Sequence, residues 1–197
     1  SDQVFKTVAN VYVKNKNGTS QPVKFSYGPE VIGLSKSSGK ETDQIIITGN
    51  NFIRETFTDD KISVKFSMAD VDAMSITVSS STSLTVIVPK KDSGDSGIVD
   101  VIVTLSGNNN DSAASKSSDK SKFTYAPIVN SPASPLFTGV GDTVEIKGDN
   151  FLKVSAVKFG DKSATKIKTN SPTSLSVTVP DGSGTVPITV IASGGTS

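Results

Sequence analysis

Short runs in which apolar and polar residues alternate cover most of the chain, and turn-forming residues separate them. An alternation of period two puts every second side chain on one face, the pattern of a strand buried on one side only. Val11 and Val13 open the series. A polar turn follows, Asn15-Lys-Asn-Gly-Thr-Ser20, then a second strand, Val23-Lys-Phe-Ser-Tyr27, closed by Gly28-Pro29. Ile45 and Ile47 alternate in the next long strand; Ile62, Val64 and Phe66 then share a face, as do Leu84, Val86 and Val88. Pro89 stops that run because it has no N–H to donate. Val99-Asp-Val-Ile-Val-Thr-Leu105 and Phe123-Thr-Tyr125 complete the set, and no stretch carries a helical period. The pattern predicts an all-β fold.

The order of strands then begins again. Ile46-Ile-Thr-Gly-Asn-Asn-Phe52 returns as Glu145-Ile-Lys-Gly-Asp-Asn-Phe151, with the two glycines 99 positions apart (148 − 49). Val64-Lys-Phe66 returns as Val157-Lys-Phe159, and Leu84–Pro89 returns as Leu175–Pro180. Tyr27 and Tyr125, each at the end of a Phe-x-Tyr strand, are 98 apart (125 − 27). A period this long is too large for a solenoid unit or a propeller blade, so each repeat should own a core, in outline a seven-strand sandwich. Residues 1–28 read as the closing strands of an incomplete repeat, 29–126 as a complete one, and 127–197 as one that lacks its last strand. Pro29 and Pro127 mark short, stiff junctions. The first copy carries a loop around Arg54–Asp59 that the second does not.

The recurring Gly-x-Asn-Phe turn reads as a structural signature and not as a site. Gly49 and Gly148 are expected at positive φ, where a Cβ would obstruct the turn. Asn51 and Asn150 are expected to bond back to nearby backbone, and Phe52 and Phe151 to drop a ring beneath the turn.

Composition removes most chemistry. The chain has no Cys, no His and no Trp. Disulfides and thiolates are excluded, the commonest general base and metal ligand are missing, and no Trp platform exists for stacking on a sugar. No catalytic residue, cofactor or metal site is expected. Twenty basic and 19 acidic side chains leave a net charge of +1 with neither sign clustered, so no nucleic acid partner is expected. No apolar run reaches the length of a membrane span, and the opening residues do not read as a signal peptide, so this segment is not expected to enter a membrane. The acidic pairs Asp59-Asp60, Asp70/Asp72 and Asp92/Asp95 lack the spacing of a calcium loop and read as solvated turns. Lys90-Lys91 reads as a solubilising charge at a strand end.

Taken together, these motifs resemble the IPT/TIG immunoglobulin-like domain. The residues that carry the likeness are Glu30-Val-Ile32, Ile47-Thr-Gly-Asn-Asn-Phe52, Val64-Lys-Phe66, Leu84–Pro89 and Phe123-Thr-Tyr125. Ile128, Ile146–Phe151, Val157–Phe159 and Leu175–Pro180 repeat them, without a second Phe-x-Tyr. The resemblance implies tandem immunoglobulin-like β-sandwiches and supplies no catalytic motif. Members occur in cell-surface receptors and adhesion proteins, in bacterial surface and glycan-handling proteins, in some starch-acting enzymes and in the dimerisation parts of certain transcription factors; with the balanced charge against the last, an extracellular or cell-surface setting is expected. A non-catalytic adhesion or structural array is therefore expected, with a protein partner or neighbouring copies of itself. The alternative is a spacer or accessory segment of a bacterial surface glycan-binding protein or carbohydrate-active enzyme, with carbohydrate as partner.

Three local expectations remain. Asn17-Gly-Thr19 and Asn110-Asp-Ser112 are formal N-glycosylation acceptors in the same loop of consecutive repeats. Ser106–Lys122, rich in Ser, Asn, Asp and Lys, reads as a mobile hairpin loop. A sandwich without its closing strand exposes a row of backbone donors and acceptors. Val23–Tyr27 of one molecule could fill that gap in the next and build a filament, ranked second to the chain being a segment of a longer array.

Overall fold

The structure is a computed structural model that describes residues 8–53, 61–66, 72–91, 97–107, 112–130 and 133–197. Its described elements are strands, apart from one 3-10 turn at Asp119–Ser121. The fold is all-β.

Two sheets face each other in the first repeat. One runs Glu30–Leu34, Gln44–Asn50, Ser83–Ile87, Ser75–Ser80, antiparallel throughout. The other is centred on Ile98–Ser106, which pairs with Lys61–Phe66 along one edge. Its other edge pairs with Ser112–Ala114 and then with Lys122–Tyr125, and the latter runs parallel to Ser38–Gly39. Alternating burial follows the sequence pattern: Ile45, Ile47, Val64, Phe66, Leu84, Val86, Val101 and Val103 fill the space between the sheets. Phe123 and Tyr125 close it from the last strand, with Phe123 edge-on to Phe66 at 5.7 Å.

The second repeat has its own core of Val144, Ile146, Phe151, Val157, Leu175, Val177 and Val190. One sheet runs Ile128–Val129, Thr143–Asp149, Ser174–Thr178, Thr165–Ser171, and the other Lys162–Ser163, Ala156–Phe159, Ile188–Ala192, Gly195–Thr196. Upstream of both repeats, Val8–Val11 and Val23–Ser26 form a two-stranded ribbon. The side chains of Val11, Val23, Phe25 and Tyr27 on it are exposed.

The structure corrects the reading of Ser106–Lys122 as a loop. Ser112–Ala114 is a strand, and Ser115 and Ser121 are buried. Ser115 takes the place of a ladder residue: its N–H donates to Val103 O at 2.8 Å, and its Oγ accepts from Val103 N–H at 3.0 Å. Ser121 Oγ accepts from Ser118 N–H, and so folds the chain over before the closing strand. The Arg54–Asp59 loop, Asp59-Asp60, Asp70, Asp92, Asp95 and Asn110 lie outside the described residues.

Candidate functional site

The Gly-x-Asn-Phe turns lie at the boundaries between units, and each is built the same way. The glycine N–H donates to Thr82 O in the first copy and to Thr173 O in the second. The phenylalanine N–H donates to Ser81 O and Pro172 O, both at 2.9 Å. Phe52 and Phe151 are buried beneath the turn.

The left-handed residue is the asparagine, with φ +60° at Asn51 and +61° at Asn150, and not the glycine as the sequence suggests. Asparagine tolerates that conformation better than other side chains. Gly49 and Gly148 are glycine for a different reason, the close approach of neighbouring atoms. A Cβ on Gly49 would lie 2.0 Å from Glu30 O and 2.4 Å from the Phe52 ring. One on Gly148 would lie 1.9 Å from Ile128 O and 2.5 Å from the Phe151 ring.

The asparagine side chains also reach further than nearby backbone. Asn51 Nδ2 donates to Gly28 O at 3.0 Å, and Asn150 Nδ2 donates to Ala126 O at 2.9 Å. Gly28 and Ala126 are the residues just before Pro29 and Pro127, so each turn clamps the carbonyl at which the preceding unit ends. Asn150 is only 3% exposed. Its Oδ1 is buried without a hydrogen-bond partner, against Gly97 of the first repeat. That contact makes a small residue obligatory at 97, where φ is +89°.

Gly194 completes the joint, since a Cβ there would lie 2.0 Å from Tyr125 O. The neighbouring pairs also match: Gly28 sits over Ala113 as Ala126 sits over Gly195. The same clamp therefore holds residues 23–28 to the first repeat and the first repeat to the second. Sequence reading finds Asn51 and Asn150 but misses Gly97, Ala126 and Gly194, because a glycine's close neighbours are distant in sequence. A cleft of about 1020 Å³ runs beside the joint, lined among others by Lys40, Lys90, Lys91, Asp149 and Asn150.

Asn17 sits exposed at the tip of the small hairpin Lys14–Asn15/Gly18–Thr19, where its N–H donates to Asn15 Oδ1 at 2.8 Å. Among the described residues, no group of three or more Asp or Glu side chains is placed to hold a metal, and no helix is long and apolar enough to cross a membrane.

No curated protein matches this sequence. Several solved structures resemble it. A crystal structure with a xylogluco-oligosaccharide is 20% identical, with a TM-score of 0.39 over 95% of this chain and 43% of that one. A surface glycan-binding protein from Prevotella bryantii is 21% identical, with a TM-score of 0.36 over 87% of this chain and 41% of that one. The full extracellular region of plexin A4 is 15% identical, with a TM-score of 0.40 over 96% of this chain and 17% of that one. The chain spans less than half the length of each. The family model for the IPT/TIG domain matches residues 29–125 and again 129–197, and with strands, core and turn repeated in the same order, the chain belongs to the IPT/TIG domain family.

Proposed function

We propose that this chain is a non-catalytic segment of an extracellular or cell-surface array, in which successive sandwiches hold binding surfaces at a set distance and orientation. The observation that carries this reading is the joint. A flexible string of domains needs only a linker, yet here the turn asparagine bonds the end of the preceding unit at both boundaries, part-buried at Asn51 and buried at Asn150. Gly194 lets the second repeat touch the backbone of the first directly. Buried hydrogen bonds at a junction fix an angle, and a fixed angle is what an adhesive stalk or a spacer requires. Its partners on this reading are proteins or further copies of the array. Residues 1–28, 29–126 and 127–197 are its units, and Asn17 and Asn110 would carry glycans if the chain passes through a glycosylating pathway.

Small-angle scattering together with residual dipolar couplings tests the proposal. One orientation between the repeats is expected in the unmodified chain, and a spread of orientations in Gly194→Ala. Independent tumbling of the two repeats in the unmodified chain would sink it. The alternative, a spacer or accessory segment of a bacterial surface glycan-binding protein or carbohydrate-active enzyme, needs the same joint. An accessory segment that itself takes part in glycan binding is separated by titrating the purified chain with xyloglucan oligosaccharides, which the adhesive reading expects to leave unbound.

A further inference from the structure

The second repeat carries an open apolar groove of about 1090 Å³, lined among others by Val144, Phe159, Val179, Val186 and Ile188. Comparing the repeats shows what such a groove holds. Thr42 and Val88 are joined to one another's strands as Gly141 and Val179 are, which makes Val179 and Pro180 the counterparts of Val88 and Pro89. Phe66 pairs with Val101 and Phe159 with Ile188, so Val99 corresponds to Val186 and Gly97 to Gly184. Lys40 N–H donates to Asp43 as Gly139 N–H donates to Asp142, so Ser37 and Ser38 correspond to Leu136 and Phe137.

In the first repeat these positions surround the closing strand Lys122–Tyr125. Thr124 N–H donates to Ser37 O, Tyr125 N–H to Gly97 O, and Tyr125 Oη to Pro89 O. Phe123 lies against Phe66. Among the described residues, no strand occupies that place in the second repeat. Val99 is 2% exposed where Val186 is 42% exposed, and Phe137 on the opposite rim is 87% exposed. The chain reaches the near side of the groove in register. Ser197 N–H donates to Val190 O and Val190 N–H donates to Ser197 Oγ, both at 3.0 Å, repeating the bonds of Ser115 with Val103.

The matching strand is present elsewhere in the molecule with its rings unseated. Lys24-Phe-Ser-Tyr27 differs from Lys122-Phe-Thr-Tyr125 only by Ser for Thr. Phe25 and Tyr27 stand edge to face at 5.2 Å, as Phe123 and Tyr125 do at 5.3 Å, so the ring pair is already arranged as it sits in a closed core. Yet Phe25 is 50% and Tyr27 53% exposed. Their only described strand partner is Val8–Val11, and an isolated two-stranded ribbon is marginal in water.

We infer that the 197-residue chain associates with second copies of itself by seating Val23–Tyr27 of one copy in the groove between Phe137 and Ile188 of another. Val8–Val11 gives up its pairing to the segment around Val186 and Ile188. Gly28, next in the chain, is already clamped by Asn51 as Ala126 is by Asn150, so the new contact continues the same joint. Donor and acceptor surfaces differ, so the contact is heterologous and propagates head to tail without closing. Such self-association does not depend on a role at a surface.

Sedimentation velocity of the purified chain across the micromolar range tests this. Oligomers that lengthen with concentration are expected. Phe25→Ser combined with Tyr27→Ser alters only exposed rings of the ribbon and should weaken association by about tenfold or more. A chain extended after Ser197 by a copy of residues 116–125 should close its own groove, melt at a higher temperature and stay monomeric. A monomeric unmodified chain overturns the inference, as do undiminished oligomers in the double variant or in the extended chain. A chain that stays monomeric while its groove binds a peptide of residues 22–29 also overturns it, because a strand of another origin is then the occupant.

Discussion

Asn150 combines two tasks that no other residue type does as well. Its φ of +61° costs an ordinary L-residue roughly 1–2 kcal/mol, and its Nδ2 satisfies the buried Ala126 carbonyl. Asn150→Gly keeps the backbone freedom and removes the bond together with the unpaired Oδ1, at an expected cost of up to about 1–3 kcal/mol for the orphaned carbonyl. Asn150→Ala adds the conformational strain, so the alanine variant should be the less stable of the two by urea denaturation. If glycine proves worse than alanine, the left-handed backbone is not what fixes this residue. The ring beside it answers to packing alone. Phe52 and Phe151 are each buried in a separate core, and truncation to Ala should cost about 3–5 kcal/mol in either repeat, read from the same denaturation curves. A loss under 1 kcal/mol, about what a single exposed contact is worth, would contradict the burial.

At the level of elements, strands with a fully buried face are legible and strands without one are not. Gln44–Asn50, Lys61–Phe66 and Ser83–Ile87 each bury alternate residues of the core; the last two are visible as alternations in the sequence, and the first as an apolar run of which Ile45 and Ile47 face inward. Ser75–Ser80 alternates only over Ile76 and Val78, of which Ile76 alone is half-buried, and Thr165–Ser171 has a single apolar residue, the half-buried Ile167. Both are edge strands, held by the ladder and not by burial. Ser112–Ala114 hides in a serine-rich run because its anchor is a serine hydroxyl bonded to backbone, which hydropathy does not register. The turn glycines are visible, but their reason is not: close approach is a fact of three dimensions. Turns between elements also carry an electrostatic effect. Asp142 accepts from the Thr138 hydroxyl and from Gly139 N–H, and these bonds hold its pKa below the usual 3.8. A lowered folded pKa means that the carboxylate's contribution is complete above pH 3.8 and is lost as the pH falls through the folded value. Asp142→Asn should therefore melt below the unmodified chain at neutral pH, and the gap should narrow on acidification below that range. A gap that stays constant with pH would show that the turn does not depend on the charge.

For the whole molecule, the proposed non-catalytic role and the clamped joint can each be tested. A hydrolysis screen of the purified chain on plant, bacterial and storage polysaccharides should show no turnover; turnover abolished by one Asp or Glu substitution would refute the non-catalytic reading. The two repeats should also differ in strength. The first core seals four buried rings, Phe52, Phe66, Phe123 and Tyr125, between its sheets. In the second, Phe151 is fully buried while Phe159 is only partly so, beside the open groove. Apolar surface left in water contributes nothing to folding, at about 25 cal/mol for each Å². The clamp at Asn150 links the repeats without merging their cores, so each keeps its own cooperative transition. Differential scanning calorimetry of a dilute, monomeric sample should resolve two transitions, the lower belonging to residues 127–197. Phe151→Ala should move the lower one and leave the upper in place, and Phe52→Ala the reverse. A single transition shifted equally by both variants would mean that the joint fuses the repeats into one folding unit.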